Sequence, residues 1–343
     1  MTSFLKSDRT RAVAIWLFAV AALVTAMVVV GGATRLTGSG LSITEWKPIK
    51  GVIPPMGLAE WQAEFARYQQ IPQYRLLNRG MSLGEFQSLY WWEWSHRLLG
   101  RLLGVAFFVP FVWFAWRRQI NRRMAWRLAI LFVLGGLQGL VGWWMVASGL
   151  EGRVYVAPER LMIHLGLAFA LLGALVWTGL DAWAGWARQT LPSSWGARAL
   201  WLVGLIYLQV LLGALVAGNH AGLVYNDWPL FNGRLWPADY AGAGLWGTLA
   251  HSLGAVQADH RMVAYLVLIV AVAMAVMAWR TSHLAQESKV LGAVVAGAVI
   301  IQALLGIATL MAAVPFALGM IHQLMAAAVF SLAVAFAWRV RRV

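Results

Sequence analysis

Apolar residues in this chain come in long blocks, without the period-two alternation of a half-buried strand. Blocks of about 20 apolar residues, enough for a helix to cross the hydrocarbon core of a bilayer, stand near residues 13–31, 98–115, 128–146, 161–180, 200–217, 262–279, 291–311 and 321–337. These eight blocks predict eight transmembrane helices in an all-α integral membrane protein. The polar intervals set the topology. Arg117, Arg118, Arg122, Arg123 and Arg127 crowd the interval between the second and third blocks with no acid among them, and Arg339, Arg341 and Arg342 close the chain. By the positive-inside rule these segments, and with them both termini, are cytoplasmic. The first block follows Lys6, Arg9 and Arg11, a flank that a secretory leader would share. It is long and no convincing small-residue cleavage site follows, so it reads as a span.

The pattern also repeats. Two long outer intervals, 32–95 and 218–259, each end at a His-Arg pair that opens a span. Gly40-Leu41 precedes Glu45-Trp46 at the spacing by which Gly222-Leu223 precedes Asp227-Trp228. Glu93-Trp94-Ser95-His96-Arg97 matches Gln257-Ala258-Asp259-His260-Arg261. Further on, Gln138-Gly139-Leu140-Val141-Gly142 matches Gln302-Ala303-Leu304-Leu305-Gly306, and Ile163-His164 matches Ile321-His322. Matches in one order predict a duplicated unit: two pseudo-symmetric four-helix bundles, one in residues 1–190 and one in 191–343.

Each even-numbered span then opens on one histidine, giving His96 and His164 in the first half and His260 and His322 in the second. A single histidine at a helix end is usually an interfacial residue, but four in register ask for a common explanation. Two facing imidazoles inside an apolar bundle suit the axial positions of haem iron, with Gly100, Gly104, Gly166 and Gly173 leaving room for a porphyrin. Zinc would require three or four ligands per site, with carboxylate or thiolate among them, and no such cluster exists in the sequence. Because all four histidines stand toward one membrane face, the spacing disfavours a wire that carries electrons across the bilayer.

Composition narrows the reading further. The 343 residues are 61% hydrophobic and 12% charged, against roughly 25% charged in soluble domains, and the mean hydropathy is +0.69. The net charge of +14 resides largely in arginine clusters that abut spans. There it meets anionic lipid head groups rather than nucleic acid, for which no basic groove with interleaved aromatics is present. With no cysteine, disulfides, thiolate metal sites and iron–sulfur ligation are excluded.

Chemistry is expected where the two halves differ. One helical turn before its histidine the first half has Glu93, where the second has Gln257. A carboxylate this near the hydrocarbon is costly, so it either acts or pairs with Arg97 or another arginine. An electron carrier ligated by two histidines needs no such group, whereas proton transfer during oxidation does. The first half therefore reads as catalytic and the second as an electron-transfer site. The first outer interval is also the longer one; it is either an ordinary interfacial loop or a lid over a bulky amphipathic ligand, with Arg35, Arg75, Arg79 or Arg97 paired to propionates. His220, His251 and His283 have no counterpart in register and carry no assignment.

The run from Gly32 to Ile43, Gly-Ala-Thr-Arg-Leu-Thr-Gly-Ser-Gly-Leu-Ser-Ile, together with Glu93-x-x-His96-Arg97 and one histidine per even span, resembles the haem A synthase family along the whole chain. The resemblance implies that the C8 methyl group of haem O is oxidised to a formyl group by successive hydroxylations, giving haem A for terminal oxidase. It implies a resident haem b on His260 and His322, substrate haem O near His96 and His164, and an essential Glu93. It further implies a place in the cell (inner) membrane and an association with haem O synthase and an electron donor. Some family members carry a cysteine pair in the first outer loop; this chain resembles the cysteine-free branch of proteobacteria and mitochondria. Two other readings stay open on the residues alone: a dihaem b-type electron carrier and a haem chaperone. The oligomeric state, a homo-oligomer included, is not fixed by the sequence.

Overall fold

The computed structural model describes the backbone of residues 2–184 and 193–341, with side chains from Thr10 onward. The expected boundary at 190/191, Arg342 and the side chains of Lys6 and Arg9 lie outside the described residues. Within them the chain is helical: α1 (Thr2–Leu36), α2 (Leu58–Tyr68), α3 (Pro72–Leu76), α4 (Leu83–Trp116), α5 (Arg122–Leu150), α6 (Pro158–Trp183), α7 (Ser194–Gly218), α8 (Gly244–His251), α9 (Leu253–Arg280), α10 (Gln286–Met311) and α11 (Phe316–Val340). Eight of these, all but α2, α3 and α8, are long and apolar enough to cross a membrane. The chain is a multi-pass membrane protein.

The spanning helices begin earlier than their apolar blocks. α4 starts at Leu83 rather than near residue 98, because Ser82 and Glu85 form a reciprocal cap: the Ser82 hydroxyl accepts from the Glu85 N–H, and the Glu85 carboxylate accepts from the Ser82 N–H at 2.8 Å. Such a cap stabilises a helix start by about 1 kcal/mol. Ser252 caps α9 and Asn121 caps α5 by the one-way bond alone, accepting from the Ala255 and Met124 N–H groups, while Pro158 fits the first turn of α6, where its missing N–H costs nothing. The histidines consequently stand inside their helices rather than at the ends.

Each half closes as a ring of four helices. α1 packs on α4 and α6, and α5 lies against the same two; α9 packs on α7 and α10, and α11 lies against that pair. The halves meet through α1, α6, α7 and α11, around Leu17, Phe169, Leu172 and Phe330. Since lipid is as apolar as leucine, close packing rather than water exclusion holds such an interface. Gly173 shows the closeness: a Cβ there would come within 3.0 Å of the Phe330 ring. Toward the arginine-rich ends, Asp181 on α6 accepts from Arg127 of α5 at 2.7 Å, and from Arg341 at 2.6 Å and Trp338 of α11 at 2.9 Å. The rings differ in closure. The most apolar windows of α4 and α5 are 6% buried, those of α9 and α10 28%, so the first half presents its outer helices to lipid.

The first outer segment is a packed cap rather than an open loop. Tyr68, Phe86 and Tyr90 stack with Phe65 and Trp61, and Leu41 presses on Gly149 of α5. On its outer surface Glu45, Lys47, Glu64 and Arg67 form an ion network with contacts from 2.6 to 3.3 Å. The hydrogen bond from Lys47 holds the Glu45 carboxyl below its ordinary range. The second outer segment is smaller and turns about Asp227, which accepts from the N–H groups of Asn232 and Gly233 at 2.7 and 2.9 Å. Those two bonds keep Asp227 below the usual carboxylate range.

Candidate functional site

The four histidines share one setting. In each case a glycine of a neighbouring helix faces the imidazole: Gly31 of α1 against His96 of α4, Gly142 of α5 against His164 of α6, Gly213 of α7 against His260 of α9, and Gly306 of α10 against His322 of α11. A Cβ at these glycines would stand 2.9, 2.9, 3.1 and 3.0 Å from the respective ring carbon Cε1. Only glycine lets the ring lie this close to the facing backbone. Within each half the two histidine-bearing helices stand across the ring from each other, α4 opposite α6 and α9 opposite α11. The Nδ1 atoms of His96 and His164 are buried without a hydrogen-bond partner, as suits rings whose nitrogen is a metal ligand. Among the described residues no group of three or more histidines and carboxylates is placed to hold a metal ion, so the donor set is two imidazoles per half. That set, inside an apolar ring of helices, fits haem iron and does not fit zinc.

Beside the first site the chain builds a buried ion pair. Glu93, 3% exposed, accepts through Oε1 from Arg97 Nη2 at 2.6 Å and Nε at 3.1 Å. Its Oε2 accepts from the Ser42 hydroxyl at 2.7 Å and the Ile43 N–H at 2.8 Å. Arg97 donates onward to the carbonyls of Ile43 at 2.7 Å and Glu45 at 3.0 Å. The run from Gly32 to Ile43 is thereby pinned on α4. It reaches that place by ending α1 at Leu36 and turning through Gly38, whose φ of +68° favours a residue without Cβ.

The second half has a similar frame without the carboxylate. Arg261 donates to the carbonyls of Tyr225 at 3.0 Å and Leu230 at 2.8 Å, and Tyr225 holds the position in the repeat that Ile43 holds in the first. Gln257 accepts from Arg261 at 2.8 Å and donates to the Ala221 carbonyl at 2.7 Å. An amide thus does the connecting work that Glu93 does in the first half, with no carboxylate paired to Arg261 at that position.

The other residues singled out in the sequence go to different places. Arg35 donates to the Ala217 carbonyl of α7, joining the halves. Arg75, in α3, and Arg79 are exposed on the outer cap, and Arg97 is spent on Glu93 and the loop carbonyls. His220 stacks on Tyr155 with ring centroids 4.2 Å apart; burial and the nearby Arg35 hold it at about 4. His251 Nε2 lies 3.8 Å from Glu159, and His283 is exposed between α9 and α10.

Three glutamines belong to the site that the sequence reading used only as markers of the repeat or passed over. Gln138, Gln209 and Gln302 each stand four residues before the glycine that faces a histidine, and each donates to the backbone carbonyl of that histidine, at 3.0, 3.0 and 3.1 Å. The Gln-x-x-x-Gly spacing, shared by α5, α7 and α10, was the signal available.

Known proteins resemble this chain along its length. The sequence profile described as "Cytochrome oxidase assembly protein" matches residues 14–334. A protein of Caulobacter sp. (strain K31) named "Heme A synthase" is 61% identical over 342 residues, covering 100% of both chains. One of the same name from Caulobacter vibrioides is 60% identical over the same span, and one from Parvibaculum lavamentivorans is 51% identical, covering 96% of this chain and 94% of its own. With histidine pairs, buried acid and outer cap in place, the chain belongs to the cytochrome oxidase assembly protein family, among relatives that carry the name haem A synthase.

Proposed function

We propose that this protein is an oxidoreductase of haem A biosynthesis that oxidises the C8 methyl group of haem O to a formyl group by successive hydroxylations. The observation that carries the reading is the buried Glu93–Arg97 ion pair one turn before His96, where the second half places Gln257–Arg261 before His260. In this reading His96 and His164 hold substrate haem O, and His260 and His322 hold a resident haem b. Haem b held by His260 and His322 would supply one-electron redox chemistry.

The remaining work falls to the chain. Gly31, Gly142, Gly213 and Gly306 set the imidazoles against the helices, and the apolar α4 and α5 present a membrane-facing route suited to a farnesylated substrate. Glu93 gives or takes a proton beside the reacting group, while Arg97 and the cap keep it in place and away from bulk water. The division of labour follows residues 1–190 and 191–343. We place the protein in the inner membrane with both termini cytoplasmic, receiving substrate from haem O synthase and electrons from a separate donor. A cytoplasmic reporter fused after the last residue should be active; activity only of a periplasmic reporter would overturn this orientation.

Glu93→Gln tests the chemistry. The amide keeps an oxygen for Arg97 and can donate to the Ser42 hydroxyl, while the Ile43 N–H loses its acceptor; the variant should fold with somewhat lower stability, keep its haem complement and lose turnover. Full turnover in that variant would sink the proposal.

A further inference from the structure

The Gln-x-x-x-Gly pattern is complete in three of the four sites and broken in one. Four residues before Gly31 stands Met27, which has no amide to donate. Opposite it, four residues after His96, stands Gly100, where the other three helices have Ala168, Ala264 and Ala326. A Cβ at Gly100 would meet the Met27 methyl group at 3.2 Å, so the thioether takes the space that an alanine would use.

The glutamines also differ in reach. In the second half the Gln209 amide nitrogen lies 3.0 Å from Nδ1 and 3.2 Å from Nε2 of His260. That of Gln302 lies 3.2 and 3.4 Å from the same atoms of His322. Near-equal distances put each amide over the ring rather than in line with a lone pair, leaving either nitrogen able to bind iron. The bonded carbonyl can only accept, which fixes the amide orientation. Gln138 reaches the backbone of His164 but not its ring. Ring support thus runs from two clamped imidazoles, through one held at its backbone, to His96 with none.

Resting on the function proposed above, we infer that Gln209 and Gln302 are positioning residues that lock a permanent pair of axial ligands in the second half, whereas Met27 leaves His96 as the ligand that releases. A haem that is substrate has to enter and leave its site, which a ligand able to release permits, whereas a resident electron-transfer haem stays bound. The chain separates the two with one glutamine fewer. Outer-shell hydrogen bonds fix ring orientation and ligand strength in metal sites generally.

Carbon monoxide reports on this directly, since it binds ferrous haem only where an axial ligand yields. Haem content is measured first, on purified parent, Met27→Gln and Gln209→Leu proteins from cells that make haem O. Rapid-mixing spectra with carbon monoxide follow. In the parent, one of the two haems should bind it. Met27→Gln, close in volume and therefore expected to fold, should slow that binding about fivefold, the factor that one added hydrogen bond corresponds to. Gln209→Leu should make the second haem reactive. If a protein holding both haems shows carbon monoxide kinetics indifferent to both substitutions, or if both haems of the parent react alike, the inference is overturned while the functional reading stands. A protein that holds no haem in its first half overturns the functional reading, and this inference with it.

Discussion

Glu93 and Arg97 show how little separates a structural pair from a reactive one. Both oxygens of Glu93 are engaged by protein donors, so its removal and its neutralisation are different experiments. Glu93→Gln keeps the acceptor for Arg97. Arg97→Ala leaves a buried carboxylate without its counter-charge and should cost about 3 to 5 kcal/mol, seen as a lower thermal midpoint in detergent with loosening of the outer cap. Equal midpoints for the two variants would contradict the ion pair described here.

His220 belongs to the same scale and behaves differently. Held at about 4 against an ordinary 6.5, it stays unprotonated in the folded protein where the unfolded chain takes up a proton. Stability should therefore fall as pH drops from 6.5 toward 4, with no contribution above that window. His220→Asn, suited to the left-handed backbone there at φ +54°, should flatten this part of the pH profile. An unchanged profile would show that the group is not responsible.

Among the elements, helix faces rather than helix lengths define the sites. Alanine is the better helix former, so Gly142→Ala and Gly306→Ala gain intrinsic helix propensity. Any loss must come from the ring that the new methyl group meets at 2.9 or 3.0 Å. Gly142→Ala should deplete the haem of the first half and Gly306→Ala that of the second, as separate changes in the absorbance spectrum. Loss of the same haem in both variants would contradict the assignment of helices to sites.

The spans and the histidine register were legible in the sequence because both follow from periodicity: apolar blocks of bilayer length and repeats at fixed spacing. The exchange of Glu93 for Gln257 was legible for the same reason. Helix starts were not, since α4 and α9 begin in mixed polar sequence fixed by Ser82 and Ser252 caps. Nor was the glutamine clamp, because a contact between Gln209 and His260 depends on which helices are neighbours. The partners of Glu93 were legible only as a choice; the pairing needed the fold of residues 36–43 over α4.

At the scale of the whole molecule, two rings of four helices meet through α1, α6, α7 and α11, with a larger cap and more lipid-exposed outer helices on one side only. The likeness of the rings accounts for paired imidazoles in each, and the unlikeness supports the division between substrate and resident cofactor proposed above. The haem complement tests that claim most directly: extraction and mass spectrometry of haems from protein purified from cells that make haem O. The account predicts haem b together with haem O or its oxidised products. Haem b alone, filling both halves, would contradict it and leave an electron carrier with a buried acid beside one haem.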